Sequence, residues 1–396
     1  MFFTICTFLF LSVFISLSFF IQTPKDSDKN PISAAQSLKE RCKNQDQKRV
    51  CYFSELSDIS QNGEFGFALD VLKELQKIDH DTEYCHTFAH RIGYNAVIKN
   101  IGNWQNLVKG IDVRDCTYGF LHGIIEGKIM LSGGNFELNE NTVQDLCDKV
   151  VILSKGKASD DLNERMCVHI MGHMMVFQKN GDINSTIRIC QNLNSNSVGE
   201  CSQGAFMEYD FQLVAGMHQK IVHTQWDENN IKPLEAVCLT YTGIVGKECW
   251  KALSDGYVSI SQGDYKKIYL LCQNAPAQYV NDCYFSGGYI LALRELNGYF
   301  DSGNLDMLCE PFFGNQKNLE SCIKTIVEYV IWSSPLSSGR FAVFCNKIVE
   351  TSKGYCYQEY GKNLGKFASI EKRGEVCNKL ESKYRDLCMG LHEKKV

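Results

Sequence analysis

Eighteen cysteines that fall into nine consecutive close pairs constrain this chain of 396 residues more than any other feature. The pairs are Cys42/Cys51, Cys85/Cys116, Cys147/Cys167, Cys190/Cys201, Cys238/Cys249, Cys272/Cys283, Cys309/Cys322, Cys345/Cys356 and Cys377/Cys388. Five of the nine, starting at Cys190, Cys238, Cys272, Cys345 and Cys377, enclose ten residues each. A nineteenth cysteine, Cys6, lies in an N-terminal apolar segment and has no neighbour to pair with. Nine local disulfides imply an oxidising compartment and a fold built from small units stapled one by one. In the chain-entropy account a loop of that length contributes roughly 3 kcal/mol. A chain this long can bury a large core unaided, so the staples read as protection for a repeat array outside the cytoplasm.

Residues 1–21 are almost wholly apolar, and about 20 such residues span a bilayer as a helix. No lysine or arginine precedes the run and no small-residue cleavage site follows it. An uncleaved membrane anchor is therefore the expectation, and a cleaved signal peptide the alternative. Residues 22–40, with Pro24, Pro31 and mixed charge, read as a linker from the membrane to the folded part. The formal charge of −5 comes from scattered acids and bases with no basic stripe, which argues against nucleic acid as a partner.

The first cysteines of the later pairs, Cys238, Cys272, Cys309, Cys345 and Cys377, recur at intervals of 34, 37, 36 and 32 residues. Periods of this size belong to helical hairpins that stack into solenoids. Around Cys272 and Cys283 an apolar-periodic stretch, a polar connection with Pro276 and a second apolar-periodic stretch follow one another. Phe67, Val71, Leu72, Leu75 and Ile78 likewise share one helical face. Strand signals are nearly absent. The expected fold is all-α, a superhelical solenoid of hairpins, each stapled by a local disulfide that ties the end of one helix to the start of the next. Layout and period resemble the Sel1-like and tetratricopeptide solenoids, above all secreted cysteine-rich Sel1-like proteins. That resemblance implies an architecture over about residues 41–396 and carries no activity. Residues 41–230 form the histidine-bearing repeats and 231–396 the C-terminal repeats.

Four segments opening at Cys85, Cys116, Cys167 and Cys201 carry the chemistry. His86 and His90, His122 and Glu126, and His169 and His173 are each four residues apart, so each pair shares a helix face. Counted from the cysteines, His90 lies at +5, His122 and His173 at +6, and Glu208 at +7, which predicts similar heights along one surface. A histidine near a helix start can simply cap or fill a polar corner. The chain supplies a control, because the later segments opening at Cys249, Cys283, Cys322 and Cys356 have no histidine, while five of the nine histidines lie in the first three segments. The expectation is a transition-metal site (zinc, copper, iron or manganese) with His86, His90, His122, His169 and His173 as ligands and Glu126 or Glu208 as general base. With seven candidates, two ions, one ion with supporting groups, and acid–base work without metal all stay open. Glycines 93, 119, 123, 127, 172 and 204 beside them serve close helix approach or room for a substrate, two readings that are compatible.

No zincin protease motif, haem-attachment motif, nucleophile elbow, phosphate loop or dinucleotide fingerprint occurs. Two functions follow: a metal-dependent hydrolase or redox enzyme, or a non-enzymatic scaffold binding a peptide or partner protein on its concave face. Asn184-Ser185-Thr186 fits a glycosylation sequon. His218 and His223 read as part of an inserted loop before Trp226, and His80 and His392 as ordinary.

Overall fold

A computed structural model describes residues 30–44, 48–79, 82, 85–110, 116, 118–132, 136–154, 160–215, 227–296, 307–333, 344–367 and 370–390. Among these residues all regular structure is helical. The apolar segment 1–21, His80, His218, His223 and His392 lie outside the described residues. No described helix is long and apolar enough to cross a membrane.

The first helix, α1 (Pro31–Cys42), begins inside the stretch read above as a linker. The Asn30 side chain accepts from the Ile32 backbone N–H at 2.9 Å, and Pro31 sits at the first helical position, where its missing N–H costs nothing. Ala35, Leu38 and Cys42 then fall on one buried face. The packed part of the protein thus starts about ten residues earlier than charge and proline content suggested.

The chain continues through α2 (Lys48–Gln61), α3 (Phe65–Ile78), α4 (His86–Lys99), α5 (Trp104–Gly110), α6 (Gly119–Met130), α7 (Glu140–Leu153), α8 (Asp160–Gln178), α9 (Ile183–Asn192) and α10 (Ser197–Ala215). It goes on through α11 (Glu228–Cys238), α12 (Gly243–Ser261), α13 (Tyr265–Cys272), α14 (Val280–Leu296), α15 (Gln316–Ser333), α16 (Glu350–Phe367), α17 (Ile370–Cys377) and α18 (Ser382–Met389). Several starts are fixed by side chains that satisfy otherwise orphaned N–H groups. Asn139 and Thr142 form a capping box before α7, Asp227 and Asn230 another before α11, and Asp264 caps α13.

All nine disulfides join neighbours in the sequence, with Cα–Cα separations between 5.2 and 6.0 Å. Some tie the end of one helix to the first turns of the next, as Cys272–Cys283 ties α13 to α14, whereas Cys147–Cys167 joins the middles of α7 and α8 and Cys388 lies in the last turn of α18. Cys42–Cys51 follows the scheme in pairing but departs from it in burial. Cys42 ends α1 and is fully enclosed, whereas Cys51, inside the first turn of α2, is only partly buried rather than part of the sealed core. The reason is position: among the described residues α2 has a neighbour in the helix row on one side only, so its outer flank meets solvent. Cys116 is the other paired cysteine left partly exposed.

Cys85–Cys116 departs from the scheme itself. Cys85 is the N-cap of α4 and Cys116 lies just before α6, so this bridge links the beginnings of two packed helices. Of the 30 residues between them, 86–99 form α4 and 104–110 form α5.

The second helices of successive hairpins pack in an unbroken row: α2 on α4, α4 on α6, α6 on α8, α8 on α10, α10 on α12, α12 on α14, α14 on α15, α15 on α16 and α16 on α18. One apolar core runs from Ala35 to Cys201 and a second from Val176 to Cys388, and the two interleave at α8–α10.

Within the row, α4–α6 and α8–α10 make the most extensive contacts, and glycines let their backbones touch. A Cβ on Gly123 would overlap the His90 carbonyl oxygen, and one on Gly204 would overlap that of His169. Gly93 and Gly172 make the reciprocal approaches, to Phe120 and Cys201. The close approach expected from these glycines is realised, because neighbouring backbone fills the space beside them. A backbone carbonyl cannot turn aside as a side chain can. Gly123→Ala should therefore lower the unfolding free energy by about 3 kcal/mol in denaturant titrations. Gly66→Ala, in a helix and facing open space, should be neutral or stabilising by up to about 1 kcal/mol. Equal effects at the two sites would contradict the packing argument.

Candidate metal centre

The polypeptide enters α6 through two non-glycine residues in the left-handed region, Cys116 (φ 51°) and Tyr118 (φ 62°). Such conformations persist only where the surroundings hold them, and here the Cys85 bridge and the buried Tyr118 ring do so. With the starts of α4 and α6 joined and their backbones touching at Gly123, side chains at equal heights on the two helices must meet.

Five imidazoles form a continuous chain as a result. His86 Nε2 and His122 Nδ1 are 3.4 Å apart. The His90 and His122 ring centres are 4.5 Å apart, those of His122 and His173 5.2 Å, and those of His169 and His173 4.9 Å. His122 therefore stands at the middle, between α4 on one side and α8 on the other. Glu126, one turn after His122, places Oε2 2.5 Å from His90 Nε2. His90, His122 and Glu126 each offer one ligand atom, all within 4.8 Å of one another, and all three are partly buried. Among the described residues no other group of three histidine, cysteine or acidic side chains meets in this way.

His169 and His173 face each other with their Nε2 atoms 3.2 Å apart. Glu208 on α10 is fully enclosed, and its Oε2 lies 3.5 Å from Nδ1 of His173, the ring nitrogen not directed at His169. It stands apart from the His90–His122–Glu126 group and addresses α8. Of the two carboxylates expected as general bases, Glu126 thus lies among the candidate ligands and Glu208 behind one of the histidines. His86 is outside the group of three and reaches it through His122.

The glycine contacts also correct the register read from the cysteines. Gly123 and Gly204 cover equivalent carbonyls, those of His90 and His169, so His90 corresponds to His169 and Tyr94 to His173. The shared pattern is histidine, two residues, glycine, then tyrosine or histidine, followed by valine at residues 97 and 176. Counting from Cys85 and Cys167 obscures this by three residues, since His90 lies at +5 and His169 at +2, because Cys85 caps its helix while Cys167 lies inside α8. The histidine–glycine spacing was the signal that would have found it. The sequon residue Asn184 sits in the first turn of α9, and the Tyr241 hydroxyl donates to its Oδ1 at 2.6 Å.

No family model matches the chain, and neither a curated protein nor a solved structure does so.

Electrostatics favour neutral rings with lone pairs to offer. Burial holds His122 well below the usual histidine range, and the neighbouring His90, His173, His86 and His169 rings push it further down. Burial does the same for His169, with His173 and His86 next in effect. A native state that refuses protons the unfolded chain accepts is destabilised as the pH falls. For the metal-free protein, stability should be fully present above about pH 6.5 and decline below it, each such histidine contributing up to about 1.4 kcal/mol per pH unit. Denaturant titrations at pH 7.5 and 5.0 should show this loss, and His122→Gln should reduce it. Stability unchanged or higher at pH 5.0 would contradict the assignment of neutral rings.

Proposed function

We propose that this is an exported protein whose N-terminal half binds a transition-metal ion through His90, His122 and Glu126. The observation that carries the reading is the convergence of two imidazole nitrogens and one carboxylate oxygen within 4.8 Å, on helices held together by a disulfide and by backbone contact. Two histidines and a glutamate make a donor set used by hydrolytic zinc sites and by non-haem iron sites, and both leave positions open for water or substrate. Copper and manganese are compatible with the same nitrogen and oxygen donors, whereas the disulfides remove the cysteines as competing thiolate ligands.

With open positions on the ion and His90 a quarter exposed, the chemistry we favour is metal-assisted, hydrolytic or redox. The ion would activate a bound water or substrate, while His86 orients His122 from behind. We further propose that the row of helices continues as a solenoid of Sel1-like or tetratricopeptide type, tethered to the membrane by residues 1–21. The histidine-free stretch from α12 to α18 then offers a concave face to a peptide or protein partner.

Elemental analysis of the oxidised chain, purified without chelator or tag histidines, tests the metal reading. His90→Ala and Glu126→Gln should each lose one equivalent of metal while keeping the helical circular dichroism signal. Variants that retain the full wild-type content would overturn the assignment.

A further inference from the structure

We propose that His169 and His173 hold a second divalent transition-metal ion, next to the first, with Glu208 as the residue that positions His173. This rests on the proposal of a first ion at His90, His122 and Glu126.

Ligand spacing is the first argument. Two nitrogens bound tetrahedrally to zinc at about 2.0–2.1 Å are separated by about 3.3–3.4 Å. The Nε2 atoms of His169 and His173 are 3.2 Å apart, one helical turn from each other, as a chelating pair on a single helix must be. The rings are steeply inclined, at 69°, so both nitrogens can address one point without stacking.

The second argument is the carboxylate behind the pair. Glu208 faces Nδ1 of His173 at 3.5 Å, which favours the tautomer with its proton on Nδ1 and its lone pair on Nε2. A carboxylate on the non-ligating nitrogen is the usual support of a metal-bound imidazole, fixing the tautomer and raising ligand basicity. The duplicated helix pairs sharpen the point. The residues corresponding to His173 and Glu208 in the first pair are Tyr94 and Gly127. The second pair thus carries both a ligand and its support where the first has neither, and the first carries Glu126 where the second has Met207. Two unlike sites built on one repeated scaffold follow, one with three protein ligands and one with two. The second ion should bind more weakly, its remaining positions left to water or substrate. The His122 and His173 rings, 5.2 Å apart between centres, bring the two positions together as neighbours.

The experiment is a titration of the full oxidised chain, stripped of metal, with Zn²⁺ by calorimetry and with Co²⁺ by absorption. Wild type should take up two equivalents of unlike affinity. His169→Gln should abolish the weaker one, and His90→Ala the tighter one. Glu208→Gln should weaken the second equivalent about 10- to 100-fold and leave the first unchanged, with Glu208→Asp recovering part of the loss. Saturation of wild type at one equivalent, lost in His90→Ala and kept in His169→Gln, overturns the second position and leaves the first standing. Two equivalents indifferent to His169→Gln also overturn it. Absence of binding in every form overturns both positions. A wild-type stoichiometry of one equivalent overturns the second position even if a variant fails to fold.

Discussion

The approach of α6 onto α4, with Gly123 lying on the His90 carbonyl, is the contact on which the rest of the site depends. Ordinary helix pairs stand about 8–10 Å apart, and side chains of that length fill the space between them. Where glycine removes the intervening side chain, the histidines on the flanks of the two helices come within reach of one another. Each glycine in a helix interior costs about 1 kcal/mol relative to alanine, and the packing it permits offsets this. The same device recurs between α8 and α10 at Gly204, so two tight helix pairs meet along the α6–α8 contact and deliver five imidazoles to one place. Close approach alone does not make a site. Gly361 of α16 lies on the Cys388 carbonyl of α18, and among the described residues no histidine flanks it there.

The disulfides set both the frame and the available chemistry. Cys85–Cys116 joins the beginnings of α4 and α6 and so fixes the relative heights of His90 and His122. Cys147–Cys167 and Cys190–Cys201 anchor α8 and α10 to the helices that precede them. Oxidation also leaves the eighteen paired cysteines unable to act as thiolates, which leaves nitrogen and oxygen donors for a metal. The nine bridges fit an extracytoplasmic protein, and the donor set follows from the redox state of that compartment.

The cysteine rhythm made the hairpins and their staples legible, because a local disulfide and a helical period leave direct marks on spacing. Histidines four residues apart likewise announced their helix faces. What spacing does not encode is the contact between helices. The role of Cys85, a cap on α4 rather than the end of a preceding helix, depends on how α4 packs on α6, and the cysteine-based register missed by three residues for that reason. Spacing was equally silent on burial, which separates Cys51 at the edge of the row from its enclosed partner Cys42. Spacing was silent too on the neighbour of Glu208 across the helix pair, Nδ1 of His173. Gly123 and Gly204 were visible as glycines, but only the facing backbone tells a close approach from an open pocket. In α1, the cap at Asn30 and the apolar period of Ala35 and Leu38 were present in the sequence, outweighed by the local charge.

X-ray absorption spectroscopy at the metal edge of the oxidised, metal-loaded chain reads the ligand atoms themselves. A site of histidines and a glutamate should give nitrogen and oxygen neighbours only, at about 2.0–2.2 Å for zinc, with the longer-range scattering pattern of several imidazoles. A sulfur scatterer at about 2.3 Å would mean that cysteines hold the metal, and would contradict both the disulfide frame and the histidine site built on it.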